Sequence, residues 1–229
     1  MVQYKVIFLS GRGPADRSSR KMVQYKVIFL SGRGPAECAR QLLALADQEF
    51  EDVRLSKEQY HAIKTNVPFG QLPVLEVDGR QLIEPMAINR FIARTFGFTG
   101  SDLFDEATAD SIADRYIFYR DRINEYHAAL LTQKPASVLK KLEGTVLFPA
   151  RDKFFGYITK HLEKNSANGW LVGVSLTWVD VLIAEHASEF SEKVPGFLNG
   201  FPQVEAHMRK VRSIPNLKKW LENRPQTPF

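Results

Sequence analysis

Residues 72–83 read LPVLEVDGRQLI, and this stretch decides the fold. Leu72-Pro73 leads into the β-prone run Val74-Leu75-Glu76-Val77, Asp78-Gly79 follows, and Arg80-Gln81-Leu82-Ile83 returns. A two-residue hairpin turn needs positive φ at its central positions, and Asp-Gly supplies it. The stretch therefore predicts a β-hairpin. Just downstream, Pro85 suits the first position of a helix. Ile88, Phe91, Ile92 and Thr95 fall on one helical face, and Gly97 suits the stop. Upstream, Tyr25–Leu30 is a short β-prone run that ends in the turn Ser31-Gly32-Arg33-Gly34-Pro35. Ala39, Leu42, Leu43 and Ala46 then follow helical spacing, and 50–55 reads as a second strand. Ser56-Lys57-Glu58-Gln59 has the spacing of a capping box. The order is β-α-β-α-β-β-α within residues 22–98.

Beyond about residue 100 the alternation stops and helical periodicity takes over. Helices are expected over 103–132, 137–164, 177–190, 202–213 and 216–223. Thr177 and Asp180 have capping-box spacing, with Asp in place of Glu. The class is α/β followed by all-α.

At the other end, residues 1–15, MVQYKVIFLSGRGPA, recur unchanged at 22–36. Only the second copy runs into an amphipathic helix. It is assigned to the fold, and 1–21 is read as a duplicated N-terminal extension. This bears on charge. The chain has 229 residues and a formal net charge of +5. Lys5, Arg12, Arg17, Arg20 and Lys21 against Asp16 put most of that excess in 1–21. A polyanion-binding protein is therefore not expected, and no nucleic-acid partner is assigned. No apolar run reaches the ~20 residues of a membrane span. The single cysteine, Cys38, excludes an internal disulfide and fits a reducing, cytoplasmic setting. Near a helix start it is read as a small buried residue, with a redox role as the alternative. Gly32-Arg33-Gly34 lacks the third glycine of a dinucleotide fingerprint, since Glu37 stands there. His61, His127, His161, His186 and His207 show no paired metal-ligand spacing, so no metal site is assigned. Lys210, Arg212, Lys218, Lys219 and Arg224 read as a solvated helix face.

Taken together, MVQYKVIFLSGRG (22–34), PFGQLPVLEVDG (68–79), FPARDKFF (148–155), WLVGVSLTW (170–178) and the ending IPNLKKWLENRPQTPF (214–229) resemble the cytosolic glutathione transferases. The likeness is greatest to sigma-type and nematode-specific members and covers 22–229. It implies a thioredoxin-like glutathione-binding domain over 22–98, an all-helical substrate-binding domain over 103–229, and a homodimer. It also implies glutathione as co-substrate with no separate cofactor, and conjugation to small hydrophobic electrophiles.

The same resemblance implies a set of site residues. The family's catalytic tyrosine, in a Tyr-Phe-x-x-Arg-Gly pattern, falls at Phe29, which keeps the ring and lacks the hydroxyl that stabilises the thiolate. Ser31 is the candidate substitute donor. Tyr60 stands where an aromatic contacts the tripeptide, and Lys64 where a side chain pairs with its glycine carboxylate. Gln71 and Leu72 match the main-chain clamp on the cysteinyl amide, followed by Pro73, the family's cis-proline. The γ-glutamyl grip falls at Glu84-Pro85, where Pro has neither the hydroxyl nor the N–H of the usual serine. Pro35 replaces a sigma-type arginine. Phe118 replaces an aspartate that reaches the partner subunit's glutathione. Tyr116, Tyr119, Ile123 and Tyr126 form a helical stripe that walls the electrophile site or packs as core. Because the losses fall on glutathione contacts, a non-catalytic binder of hydrophobic ligands such as haem stands as the alternative.

Overall fold

The computed structural model describes residues 23–227. The extension 1–21 lies outside the described residues. A four-stranded sheet of order β2-β1-β3-β4 forms the first half. Its central strand β1 (Tyr25–Leu30) runs parallel to β2 (Glu51–Leu55), with Phe29 opposite Arg54. It runs antiparallel to β3 (Val74–Val77), with Ile28 opposite Val74. β3 returns as β4 (Arg80–Ile83) in the expected hairpin, with Val77 opposite Arg80. Asp78 and Gly79 have φ of 48° and 82°, the positive values such a turn requires.

Between β1 and β2 lies α1 (Glu37–Leu45), which buries Cys38, Ala39, Leu42 and Leu43 in the core. It buries Glu37, Arg40 and Gln41 as well, which amphipathic spacing does not foresee. After β2, Ser56 and Gln59 close the capping box that starts α2 (Lys57–Ile63). After the hairpin, α3 (Pro85–Phe96) starts at Pro85 and stops at Gly97, whose φ is 80°. Its inward face is Ile88, Asn89, Ile92 and Ala93. Phe91 and Thr95, expected on the buried stripe, are exposed. The helix is turned so that small Ala93 faces inward and lets the chain beyond it come close, Phe98 C=O accepting the Trp178 N–H at 2.9 Å.

The second half is helical. The expected helix 103–132 divides into α4 (Leu103–Arg122) and α5 (Asn124–Leu131) at Ile123, whose φ and ψ of −95° and 6° leave the helical region. The expected helix 137–164 becomes α6 (Ala136–Leu142), a π-helical stretch Glu143–Leu147, and α7 (Phe148–Lys164). Pro149 has no N–H for the carbonyl four residues back, and the wider turn before it absorbs that break. Then come α8 (Trp178–Lys193), α9 (Pro202–Arg212) and α10 (Pro215–Asn223). α8 is buried nearly all round and forms the axis of this half. The capping box forms at its start. Asp180 Oδ2 accepts the Thr177 N–H and hydroxyl, both at 2.7 Å. Oδ1 accepts the Leu171 N–H at 2.8 Å and lies 2.8 Å from His207 Nε2 on α9. One carboxylate thus ties a loop, a helix start and a second helix.

The aromatic core of this half lowers two histidines. Burial, reinforced by the Arg120 charge, pushes His127 down to about 4 and holds His186 well below the ordinary imidazole range. Both take up protons more readily once unfolded. Their contribution to stability is therefore whole above the ordinary imidazole pKa of about 6.5 and is lost as pH falls through the window below it. The urea midpoint is expected to drop across that window, and His127→Gln to flatten part of the drop.

Candidate active site

Strand register brings three segments to one end of the sheet. Ile28 pairs with Val74 and Val74 with Ile83. The turn after β1, the approach to β3 and the exit from β4 are therefore neighbours.

In the first segment the Ser31 N–H donates to Leu55 C=O at 2.9 Å, which fixes where the chain leaves β1. Ser31 itself is exposed. The half-buried Phe29 ring lies under Gly34, whose φ is 47°. A Cβ on Gly34 would stand 2.7 Å from ring atom Cε1, so both the conformation and the space demand glycine. Gly34→Ala is expected to cost about 1–3 kcal/mol in urea denaturation, from strain at positive φ plus overlap with the ring. Pro35 is exposed at the rim of the same turn.

In the second segment the Tyr60 hydroxyl donates to Gly70 C=O at 2.6 Å. The exposed Lys64 ammonium stands 6.0 Å from the Tyr60 ring centroid. Phe69 has φ of 52° and is 89% exposed. Gln71 is exposed, Leu72 half-buried, and the Leu72–Pro73 peptide is cis, with Pro73 buried. In the third segment Glu84 is exposed with φ of 69° and ψ of 114°. A non-glycine residue at such a φ costs about 1–3 kcal/mol, and strain of this kind clusters at binding sites. Pro85 follows as the first residue of α3. Phe29, Ser31, Gln71, Leu72, Pro73, Glu84 and Pro85 thus share one edge, with Tyr60 and Lys64 bounding it.

The α4 stripe is distributed differently. Ile123 and Tyr126 are buried within the helical half, and the Tyr126 hydroxyl donates to Glu143 at 3.3 Å. Tyr119 is stacked on Phe154 at 4.6 Å, with its hydroxyl 3.1 Å from His186 Nε2. Tyr116 is half-buried, its ring edge-on to His186 at 5.3 Å. A cavity of about 840 Å³ opens beside this stripe, lined by Arg115, Phe118, Tyr119, Arg122, Phe154 and Tyr157 among others. Residues 115, 118, 119 and 122 have the i, i+3, i+4, i+7 spacing that would have exposed this face in the sequence.

Two other expectations resolve. Cys38 is buried, with Sγ 3.9 Å from Trp178 C=O, and burial together with the Glu185 and Glu37 charges pushes its thiol well up. This environment fits the small buried residue and disfavours the thiolate that the redox alternative needs. Arg224 is not on a solvated face: it is 8% exposed and donates to Glu37 at 2.5 Å. Burial alone would raise Glu37, but Arg224, the Trp220 N–H and Arg40 outweigh it and hold the carboxyl below its usual range. Burial and the Glu37 charge push Glu185 up, against Arg33 and Arg224. Among the described residues, no three His, Cys, Asp or Glu side chains converge as for a metal ion.

Comparison with known proteins identifies the frame. The family model for the glutathione S-transferase N-terminal domain matches residues 25–94, and that for the C-terminal domain matches 120–224. "Probable glutathione S-transferase 5" of Caenorhabditis elegans is 43% identical over 231 aligned positions, covering all of both chains. The solved structure of a Nu-class GST from Haemonchus contortus is 48% identical with a TM-score of 0.83, covering 91% of this chain and 100% of that one. The structure of monomeric Na-GST-3 from Necator americanus is also 48% identical, with a TM-score of 0.86, covering 90% of this chain and 100% of that one. By sequence and by fold, the chain belongs to the glutathione S-transferase family.

Proposed function

We propose that this protein conjugates glutathione to hydrophobic electrophiles, using glutathione as co-substrate and no further cofactor. The observation that carries the proposal is the convergence of the Ser31–Gly34 turn, cis Leu72–Pro73 and strained Glu84 at one end of the sheet. In this reading the Leu72 main chain and Gln71 hold the cysteinyl part of the tripeptide. Tyr60 and Lys64 face its glycine end, and Glu84-Pro85 at the start of α3 faces its γ-glutamyl end. The sulfur rests near Phe29. Ser31 is the hydroxyl donor that steadies its thiolate once the thiol proton has gone to solvent. The thiolate attacks an electrophilic carbon, and the C–S bond forms as a leaving group departs with its bonding pair or as the π pair of an activated double bond moves onto the substrate and is protonated from solvent. On the helical side the electrophile meets Tyr116, Tyr119 and the cavity beside them, with Ile123 and Tyr126 buried in the core of the same half.

Isothermal titration with glutathione is the direct test. Binding at or below millimolar concentration supports the proposal, and no heat at that concentration sinks it. A holder of hydrophobic ligands is the second reading, because the cavity joins the Arg115 and Arg122 cations to the Phe118, Phe154 and Tyr157 rings. That reading gains if an apolar carboxylate binds while glutathione does not.

The assembly proposed is a homodimer. The exposed apolar side chains Phe91 on α3 and Ile117 and Phe118 on α4 offer a face for a second copy. The Arg90–Asp110 ion pair at 2.7 Å holds those helices together. Light scattering after size exclusion reads the mass directly. The compartment proposed is the cytoplasm, in keeping with one buried thiol and no second cysteine.

A further inference from the structure

The proposed chemistry leaves one group of buried side chains without a role. Arg33 sits in the turn after β1, yet its side chain points inward and is 7% exposed. Its Nε donates to Glu185 at 2.7 Å and its Nη1 to Glu192 at 2.6 Å, both on α8. Glu37, the first residue of α1 and fully buried, accepts Trp220 Nε1 at 3.0 Å and Arg224 Nη1 at 2.5 Å. The same Arg224 nitrogen stands 3.6 Å from Glu185. From its other side the turn is held by Arg40 Nη1, which donates to Gly32 C=O at 2.9 Å and to Arg33 C=O at 3.3 Å. An unbroken path of ion pairs therefore joins the end of α10 to the turn that follows Phe29 and carries Ser31.

We infer that the segment Trp220–Arg224 is a positioning device for that turn: docked on Glu37 and Glu185, it fixes where Ser31 stands and so how firmly the glutathione sulfur is held. The inference rests on the function proposed above. Its physical basis is charge sharing. Glu37 and Glu185 are two buried carboxylates, and Arg224 is the cation common to both. Without it they repel across a dry interior and draw harder on the cations that remain: Arg40, 3.4 Å from Glu37, and Arg33 and Arg212, 2.7 and 3.5 Å from Glu185. Arg33 is also a residue of the turn, held through its own carbonyl. Arg40 holds that carbonyl with the same Nη1 that faces Glu37, so a shift of either guanidinium toward a carboxylate drags the backbone next to Ser31.

The test uses the full chain with Arg224→Gln and Arg224→Lys. Hydrogen exchange is followed in a peptide spanning 30–36 and in one spanning 74–83, with kcat and KM for glutathione measured alongside. Arg224→Gln is expected to speed exchange in 30–36 about tenfold and leave 74–83 unchanged. kcat/KM for glutathione should fall while KM for the electrophile stays the same, and Arg224→Lys should recover part of both effects. Unchanged exchange in 30–36, or an equal rise in both peptides, overturns the inference and leaves Arg224 as an ordinary stabilising residue. Should Arg224→Gln fail to fold, Trp220→Phe removes the N–H to Glu37 while keeping an aromatic ring against Phe50, and is read in the same way. Exchange needs no turnover, so its outcome stands even for a chain that does not bind glutathione, whereas that failure would sink the proposed function alone.

Discussion

Phe29→Tyr is expected to raise kcat/KM for conjugation of a model electrophile more than tenfold. Positioned donors aimed at a developing or resident anion contribute roughly 10²–10³ in rate when removed singly, and the chain lacks this one. The ring is already in place, half-buried under Gly34, with Cζ 3.0 Å from where a Gly34 Cβ would stand. A hydroxyl on Cζ extends the ring along its own axis. Ser31→Ala separates the donors. It should lower the activity of the natural chain and matter much less in the Phe29→Tyr background, where the phenol takes over. If Phe29→Tyr gives no gain, the missing hydroxyl is not the main defect, and Pro85 and Phe118 become the sites to restore. Steady-state kinetics with glutathione varied at fixed electrophile read all three outcomes.

Asp180→Ala is expected to cause the largest loss of stability of any single change considered, about 3–5 kcal/mol. The carboxylate is fully buried and joins Leu171, Thr177 and His207. Its removal leaves two buried N–H groups, a hydroxyl and an imidazole unsatisfied together, each with its own desolvation cost. It also frees the start of α8, around which the helical half is packed. Asp180→Asn keeps one acceptor oxygen and should fall between the two. Urea denaturation gives the difference, and a loss under about 1 kcal/mol would show that the four contacts carry little weight.

These residues also show what a sequence discloses. Asp78-Gly79, the Ser56 box and the Gly97 stop were legible because each is a local rule: a turn needs positive φ, a helix start needs an acceptor, a helix end needs a left-handed residue. The site residues were named through resemblance, and only the strand register shows that 29–31, 72–73 and 84–85 meet. Periodicity marked 116, 119, 123 and 126 as one face. It could not tell that Ile123 and Tyr126 turn into the core while Arg115, Phe118 and Arg122 border a cavity. The buried ions were invisible for a related reason. Glu37, Arg40, Glu185 and Arg224 are of residue types that usually face water, and the bonds Arg33–Glu185 and Glu37–Arg224 join residues far apart along the chain. In the sequence Arg224 accordingly reads as part of a solvated face. The break at Ile123 and the π-helical stretch before Phe148 depend on packing that spacing alone does not carry.

The bond between Glu37 and Arg224 spans 187 positions, and this bears on how the protein is made. A chain growing from its N-terminus exposes β1, α1 and the hairpin long before Arg224 emerges. Until then the Glu37 and Glu185 carboxylates lack a shared counter-charge and favour water over the interior. The first helix therefore completes its burial only once residues 187 positions downstream have emerged, and a chain that stops short of Arg224 has a first half that stays open to chaperones and proteases.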